Sequence, residues 1–144
     1  MNYQCPQQET QFLFEELMDM YGHYEQLGFE DLNKEMMDTI ITEFARFTET
    51  EVAPLNAIGD DGCVWKDGSV TTPTGFKEAY QQYVAGGWPG MSQSLDFDGQ
   101  GLPYSAHCAI SEYTVTANHA WAPYPGLSQG CMETINNFGT DEQK

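Results

Sequence analysis

From Thr10 onward the apolar residues Phe12, Leu13, Leu17, Met20, Tyr21 and Tyr24 recur at three- and four-residue steps, with Glu15, Glu16 and Asp19 between them. This spacing predicts an amphipathic helix over residues 10–24. Leu27 and Gly28 interrupt it. Leu32, Met36, Ile40, Phe44 and Phe47 then follow at steps of four, four, four and three, the strongest periodic signal in the chain. Met37 and Ile41 widen that apolar face, Glu30 and Asp31 favour its start through the helix dipole, and Pro54 is expected to end it, so a second helix is predicted over 29–51.

Residues 55–72 hold Gly59, Asp60, Asp61, Gly62, Asp67 and Gly68 around a short apolar Cys63-Val64-Trp65 segment, which reads as a loop with a brief hairpin at Asp67-Gly68. Thr72-Pro73 has the form of a capping hydroxyl before a first-turn proline. Phe76, Ala79, Tyr80, Tyr83 and Val84 follow at helical spacing, and Gly86-Gly87 stops this third helix. Residues 87–103 have neither period and form a long connection of the kind that carries function. Ala106, Ala109, Ile110 and Tyr113 mark a fourth helical face, and Leu127, Cys131, Ile135 and Phe138 a fifth, closed by Gly139. The pattern is all-helical. At the end, Thr140-Asp-Glu-Gln143 has the form of a capping box, and either a further helix starts there or the tail is frayed and polar.

Composition narrows the functional classes. With 144 residues the chain fits one domain. A net charge of −17 repels phosphate backbones and anionic lipid, so neither nucleic acid nor a membrane surface is an expected partner. No apolar run is long enough to span a bilayer, and the first six residues lack the pattern of a signal peptide. Cys5, Cys63, Cys108 and Cys131 are scattered and read as free thiols, small buried hydrophobes of a reducing cytoplasm.

Local chemistry is sparse. His23, His107 and His119 have no evident catalytic or metal-ligating partner and read as satisfied or exposed side chains. Glu15-Glu16 and Glu49-Thr50-Glu51 read as solvated helix faces. Met18, Met20, Met36 and Met37 read as core packing. Gly99-Gln100-Gly101 lacks the full pattern of a phosphate loop. Trp121-Ala122-Pro123-Tyr124-Pro125-Gly126-Leu127 is the better candidate, since rigid apolar residues and glycine at a helix entry can wall a pocket; a proline-started core helix explains the same residues.

Taken together, 29–56 (FEDLNKEMMDTIITEFARFTETEVAPLN), 71–80 (TTPTGFKEAY), Gly86-Gly87-Trp88, Gly99-Gln-Gly-Leu-Pro103, Tyr124-Pro-Gly-Leu127 and 139–144 (GTDEQK) resemble the acyl-CoA dehydrogenases in order and spacing. The likeness covers nearly the whole chain and points to the branch with an extra N-terminal segment, which includes the 3-methylthiopropanoyl-CoA dehydrogenases. It implies an extension with one helix over 1–28 and the family's N-terminal helical domain over 29–144. The middle β-barrel and C-terminal four-helix domains of the family have no counterpart here. Nor does the glutamate that removes the α proton while a flavin takes a hydride from the β carbon.

The resemblance therefore implies the N-terminal part of an FAD-dependent enzyme of fatty acid metabolism, with no FAD on this chain alone, no catalytic residue and no metal. Its implied partners are acyl-CoA, the remaining dehydrogenase domains and further copies of the full-length subunit. Aligned on the terminal GTDEQK, Ala122, Tyr124, Pro125, Gly126 and Leu127 fall on the acyl-pocket wall, with Trp88, Gly99, Gly101 and Pro103 in support. The strong negative charge does not suit a CoA phosphate, which assigns that handle to the other domains. The alternative is a free-standing helical binding domain without catalysis.

Overall fold

The computed structural model describes residues 3–29 and 31–144, a helical array with one small hairpin. The first helix begins earlier than its periodicity predicts, at Gln7. Helix α1 (Gln7–Phe12) runs into a wide π turn over Leu13–Leu17, and α2 (Met20–Gln26) follows. Between them Asp19 adopts φ 47°, a left-handed conformation that aspartate tolerates better than most residues and that splits the predicted continuous helix. The wide turn also shifts the face. Phe14 and Thr10 point inward, while Phe12, Leu13 and Leu17, predicted to be core, are exposed. Thr10 fixes the register by accepting the Tyr113 hydroxyl at 2.7 Å.

Helix α3 (Lys34–Phe47) starts later than predicted because Asn33 supplies the cap, its side chain accepting the Met36 N–H at 3.1 Å. Asp31 precedes that cap, and Glu30 lies outside the described residues. The buried face is Met37, Ile41, Phe44, Ala45 and Phe47, with Ile40 half-buried and Met36 exposed. Pro54 does not end the coil. The chain widens into a π turn at Thr48–Val52, tightens into a 3₁₀ turn at Ala53–Leu55, and continues as α4 (Asn56–Asp60). Pro54 thus sits at the start of a new turn, where no backbone donor is required.

Strands β1 (Val64–Lys66) and β2 (Ser69–Thr71) pair antiparallel with Trp65 opposite Val70, as the Asp67-Gly68 turn signal predicts. Every residue of both strands is exposed. Helix α5 (Phe76–Ala85) starts three residues beyond the predicted proline start, and Thr72 makes no cap. The cause is Gly75 at φ 88°, a left-handed residue through which helix cannot propagate from Pro73. Gly86 ends α5 as expected. The connection over 87–103 holds two 3₁₀ turns, and α6 (Tyr104–Ala117) and α7 (Pro123–Phe138) complete the fold.

The core gathers α3, α5 and α6 around Phe44, Phe47, Tyr83 and Trp121, whose rings meet at 5.8–6.4 Å in tilted and edge-on pairs. Asn118 and the Trp121 indole are paired, whereas the buried Thr48 Oγ1 and Tyr21 hydroxyl have no hydrogen-bond partner. Asn118 donates Nδ2–H to Val52 O at 3.2 Å and accepts the Trp121 N–H at 3.1 Å, and the Trp121 indole donates to Phe76 O at 3.2 Å. The N-terminal segment joins the same core through Cys5, Phe14 and Tyr24. It is held by Glu49, which accepts the Cys5 N–H at 2.7 Å and so is an anchor, not merely a solvated carboxylate. Of the four cysteines, all unbridged, only Cys5 is buried. Burial, with the Glu49 charge beside it, pushes the Cys5 thiol up to about 12.

Candidate functional site

Helix α7 reverses the expectation for its sequence. Leu127, Cys131, Ile135 and Phe138 form the predicted core stripe, yet all are exposed, Leu127 by 76% and Phe138 by 86%. The buried residue of α7 is Gln129, whose Nε2–H donates to Ser92 Oγ at 3.0 Å. One turn on, Glu133 accepts from Gln93 Nε2 at 3.4 Å. The helix therefore rests on the connection through a polar i, i+4 pair and turns its apolar side outward. Glu133 is its one charged residue in a chain of net charge −17. The stripe that results is exposed, apolar and nearly uncharged.

The predicted wall residues occupy the first turns of this helix. Ala122 is buried, and Tyr124 is half-buried with its ring edge-on to Phe76 at 5.7 Å. The Tyr124 hydroxyl lies 3.5 Å from the Cys63 thiol at the base of the hairpin, and that contact, with some burial, raises its pKa. Pro125 is half-buried, Gly126 is open with no atom within 4 Å of where a Cβ would stand, and Leu127 faces outward.

The supporting residues lie elsewhere along the same surface. Trp88 packs edge-on to Phe44 at 4.9 Å, just past the end of α5, whereas Tyr124 packs on Phe76 at its beginning. A helix of ten residues is about 15 Å long, so the two rings stand at opposite ends of α5. Gly99 sits where a Cβ would meet Gln93 O at 2.2 Å, Gly101 takes φ 66°, and Pro103 leads into α6. Gly99 and Gln93 line a cavity of about 280 Å³ shared with Met132 and Ile135, so the connection meets the second half of α7, not its first turns.

Several residues that carry this arrangement had no signal in apolar periodicity. Gln129 and Glu133 are legible only as a polar pair one turn apart on a helix otherwise read from its apolar stripe. His107 corrects the sequence reading. It is neither satisfied nor exposed: its Nδ1 is buried without a partner, its ring stacks on Tyr104 at 5.6 Å, and burial lowers its pKa. His23 and His119 are exposed. Met37 is buried and Met20 partly so, but Met18 and Met36 are exposed, against their expected core role.

Among the described residues no group of His, Cys, Asp and Glu is arranged to hold a metal, and no helix is long and apolar enough to cross a membrane. A flavin pyrophosphate needs cations or a glycine-rich helix start. Lys34 is paired with Glu15 and Asp38, Arg46 with Glu43, and Lys66, Lys77 and Lys144 stand on separate elements, so these residues do not form such a cradle.

The fold is a helical array whose final described helix leaves Leu127 and Phe138 exposed. Residues 34–144 match the acyl-CoA dehydrogenase, N-terminal domain, and the chain belongs to that family. Over its whole length it is 32% identical, across 150 aligned positions, to 3-methylmercaptopropionyl-CoA dehydrogenase of Ruegeria pomeroyi. The match covers 25% of that protein, so the chain spans a quarter of its relative's length. The family is FAD-dependent.

Proposed function

We propose that this chain acts as the N-terminal helical domain of an FAD-dependent acyl-CoA dehydrogenase, an enzyme that introduces an α,β double bond into acyl-CoA thioesters. The observation that carries this reading is the inverted α7, which buries Gln129 and presents Leu127 and Phe138 outward. In this reading the flavin, held by other parts of the enzyme, accepts the hydride. The task of this chain is to bind and to exclude water: Ala122, Tyr124, Pro125, Gly126 and Leu127 wall the acyl group, and Trp88, Gly99, Gly101 and Pro103 hold that wall in place. Each methylene buried there stabilises the complex by about 0.8 kcal/mol. Residues 1–28 form a branch-specific extension, and the assembled enzyme is a homo-oligomer.

The test is a chimera in which this chain replaces the matching N-terminal quarter of the Ruegeria pomeroyi relative. The expected product carries FAD and reduces an acceptor dye with methylmercaptopropionyl-CoA. A folded, flavin-loaded chimera with no turnover on any acyl-CoA overturns the proposal. Within the active chimera, Gly126→Trp should lower turnover more for long acyl chains than for short ones. The site is open, so an indole there costs little folding stability and instead occupies the space of the distal carbons. Equal loss at every chain length removes Gly126 from the wall.

A further inference from the structure

We propose that Cys63, at the base of the hairpin, is a positioning residue for the acyl wall: by holding the Tyr124 hydroxyl it fixes the ring that α7 presents at its entry, a role that rests on the reading of Tyr124 as a wall residue. The hairpin has little of its own to hold it in place. Every residue of β1 and β2 is exposed, and a two-stranded ribbon alone is marginally stable. Among the described residues, the side-chain hydrogen bond that joins 61–74 to the rest of the fold is the one between Cys63 Sγ and the Tyr124 hydroxyl, 3.5 Å long and spanning 61 positions of sequence.

Pro123 and Pro125 stiffen the backbone on either side of Tyr124, so the ring's own rotamer is the freedom that remains. Two contacts settle it. Phe76, buried at the start of α5, meets the ring edge-on at 5.7 Å, and Cys63 takes the hydroxyl at its far end. Phe76 is itself held in place, because the Trp121 indole donates to its carbonyl at 3.2 Å. An aromatic contact alone lets the ring tilt, and the second contact at the hydroxyl removes that freedom. Nothing crowds the wall one turn on, where Gly126 has no atom within 4 Å of its Cβ position. The raised Tyr124 pKa, with the Cys63 contact as its first cause, is what a phenol donating to sulfur shows. Without the tie an acyl chain would have to order the ring as it binds, which weakens binding and leaves the reacting carbons untouched.

NMR of the 144-residue chain with isotope-labelled tyrosine is the first test. Cys63→Val should move the Tyr124 ring signals, and Cys63→Ser, which keeps a hydroxyl, should restore them, with Tyr80 and Tyr83 unmoved in both. Cys63 is exposed, so both variants keep the fold. Unmoved Tyr124 signals in Cys63→Val overturn the tie. In the active chimera, Cys63→Val and Tyr124→Phe should each raise KM for hexanoyl-CoA by about fivefold at unchanged kcat, and together no more than either alone, since both break one contact. Additive effects, a fall in kcat, or no rescue by Cys63→Ser overturns the positioning role. A chimera that turns over no acyl-CoA overturns the wall reading instead, and the ring signals of the 144-residue chain then decide whether Cys63 holds Tyr124.

Discussion

Gly99 shows how a single missing side chain fixes the geometry of the connection. A Cβ there would stand 2.2 Å from Gln93 O, a backbone atom that cannot rotate away, and 2.7 Å from the Gln93 Cβ. The loop closes only because that space is empty, and the backbone bonds from Gly99 N–H to Ser94 O and from Gly101 N–H to Gln93 O depend on the same approach. Gly99→Ala should therefore lower stability by about 1–3 kcal/mol, the usual cost of forcing atoms into a filled site. Gly130 is the internal contrast, since it lies inside α7 with open space around its Cβ position. Gly130→Ala should raise stability by about 0.5–1 kcal/mol through helix propensity alone. Urea unfolding of both variants checks the pair, and a neutral Gly99→Ala would show that the loop relaxes around the added methyl group.

At the scale of elements, α7 tests whether apolar periodicity reports a core or an interface. Leu127→Ser together with Phe138→Ser should leave stability within about 0.5 kcal/mol of the parent, because both side chains are already in water. Ile41→Ala, on the fully buried face of α3, should cost about 2–5 kcal/mol. A large loss from the α7 pair would mean that the stripe packs inward. Period alone could not make this distinction: a stripe meant for another domain and a stripe meant for the core carry the same residues at the same steps. Where tertiary context agreed with local chemistry the sequence was legible. The α3 periodicity, the Asp67-Gly68 hairpin and the Gly86 stop all appear in the fold. The misses arose where the backbone left the 3.6-residue repeat. The π turn at Leu13–Leu17 rotated Phe14 inward, the left-handed Asp19 split a helix, and the turns at Thr48–Leu55 carried the chain past Pro54. The wall residues were read from the resemblance, not from period, whereas Gln129 and Glu133 matter through contacts that join distant parts of the chain.

For the whole molecule the dominant long-range term is its own charge. The sequence carries 22 acidic and 5 basic side chains, and the described ion pairs engage Lys34 and Arg46 with carboxylates at 2.6–3.6 Å on the exposed surface. Exposed pairs of this kind contribute little. Most carboxylates therefore face only one another, and folding brings them closer than the extended chain does, so self-repulsion subtracts from stability. Added salt shortens the screening length from about 30 Å at 0.01 M to about 8 Å at 0.15 M, which weakens repulsion across the molecule more than the short ion pairs. The melting temperature should thus rise between 0.01 and 0.3 M NaCl by about 3 °C, the shift that roughly 1 kcal/mol produces in a chain of this size. The rise should be the same in KCl, absent in sucrose of equal osmolality, and level off once screening acts below the spacing of neighbouring carboxylates. Differential scanning calorimetry at pH 7.5 follows the transition across this salt range. A flat or falling profile would show that the carboxylates stand too far apart to repel one another, or that the few ion pairs outweigh them.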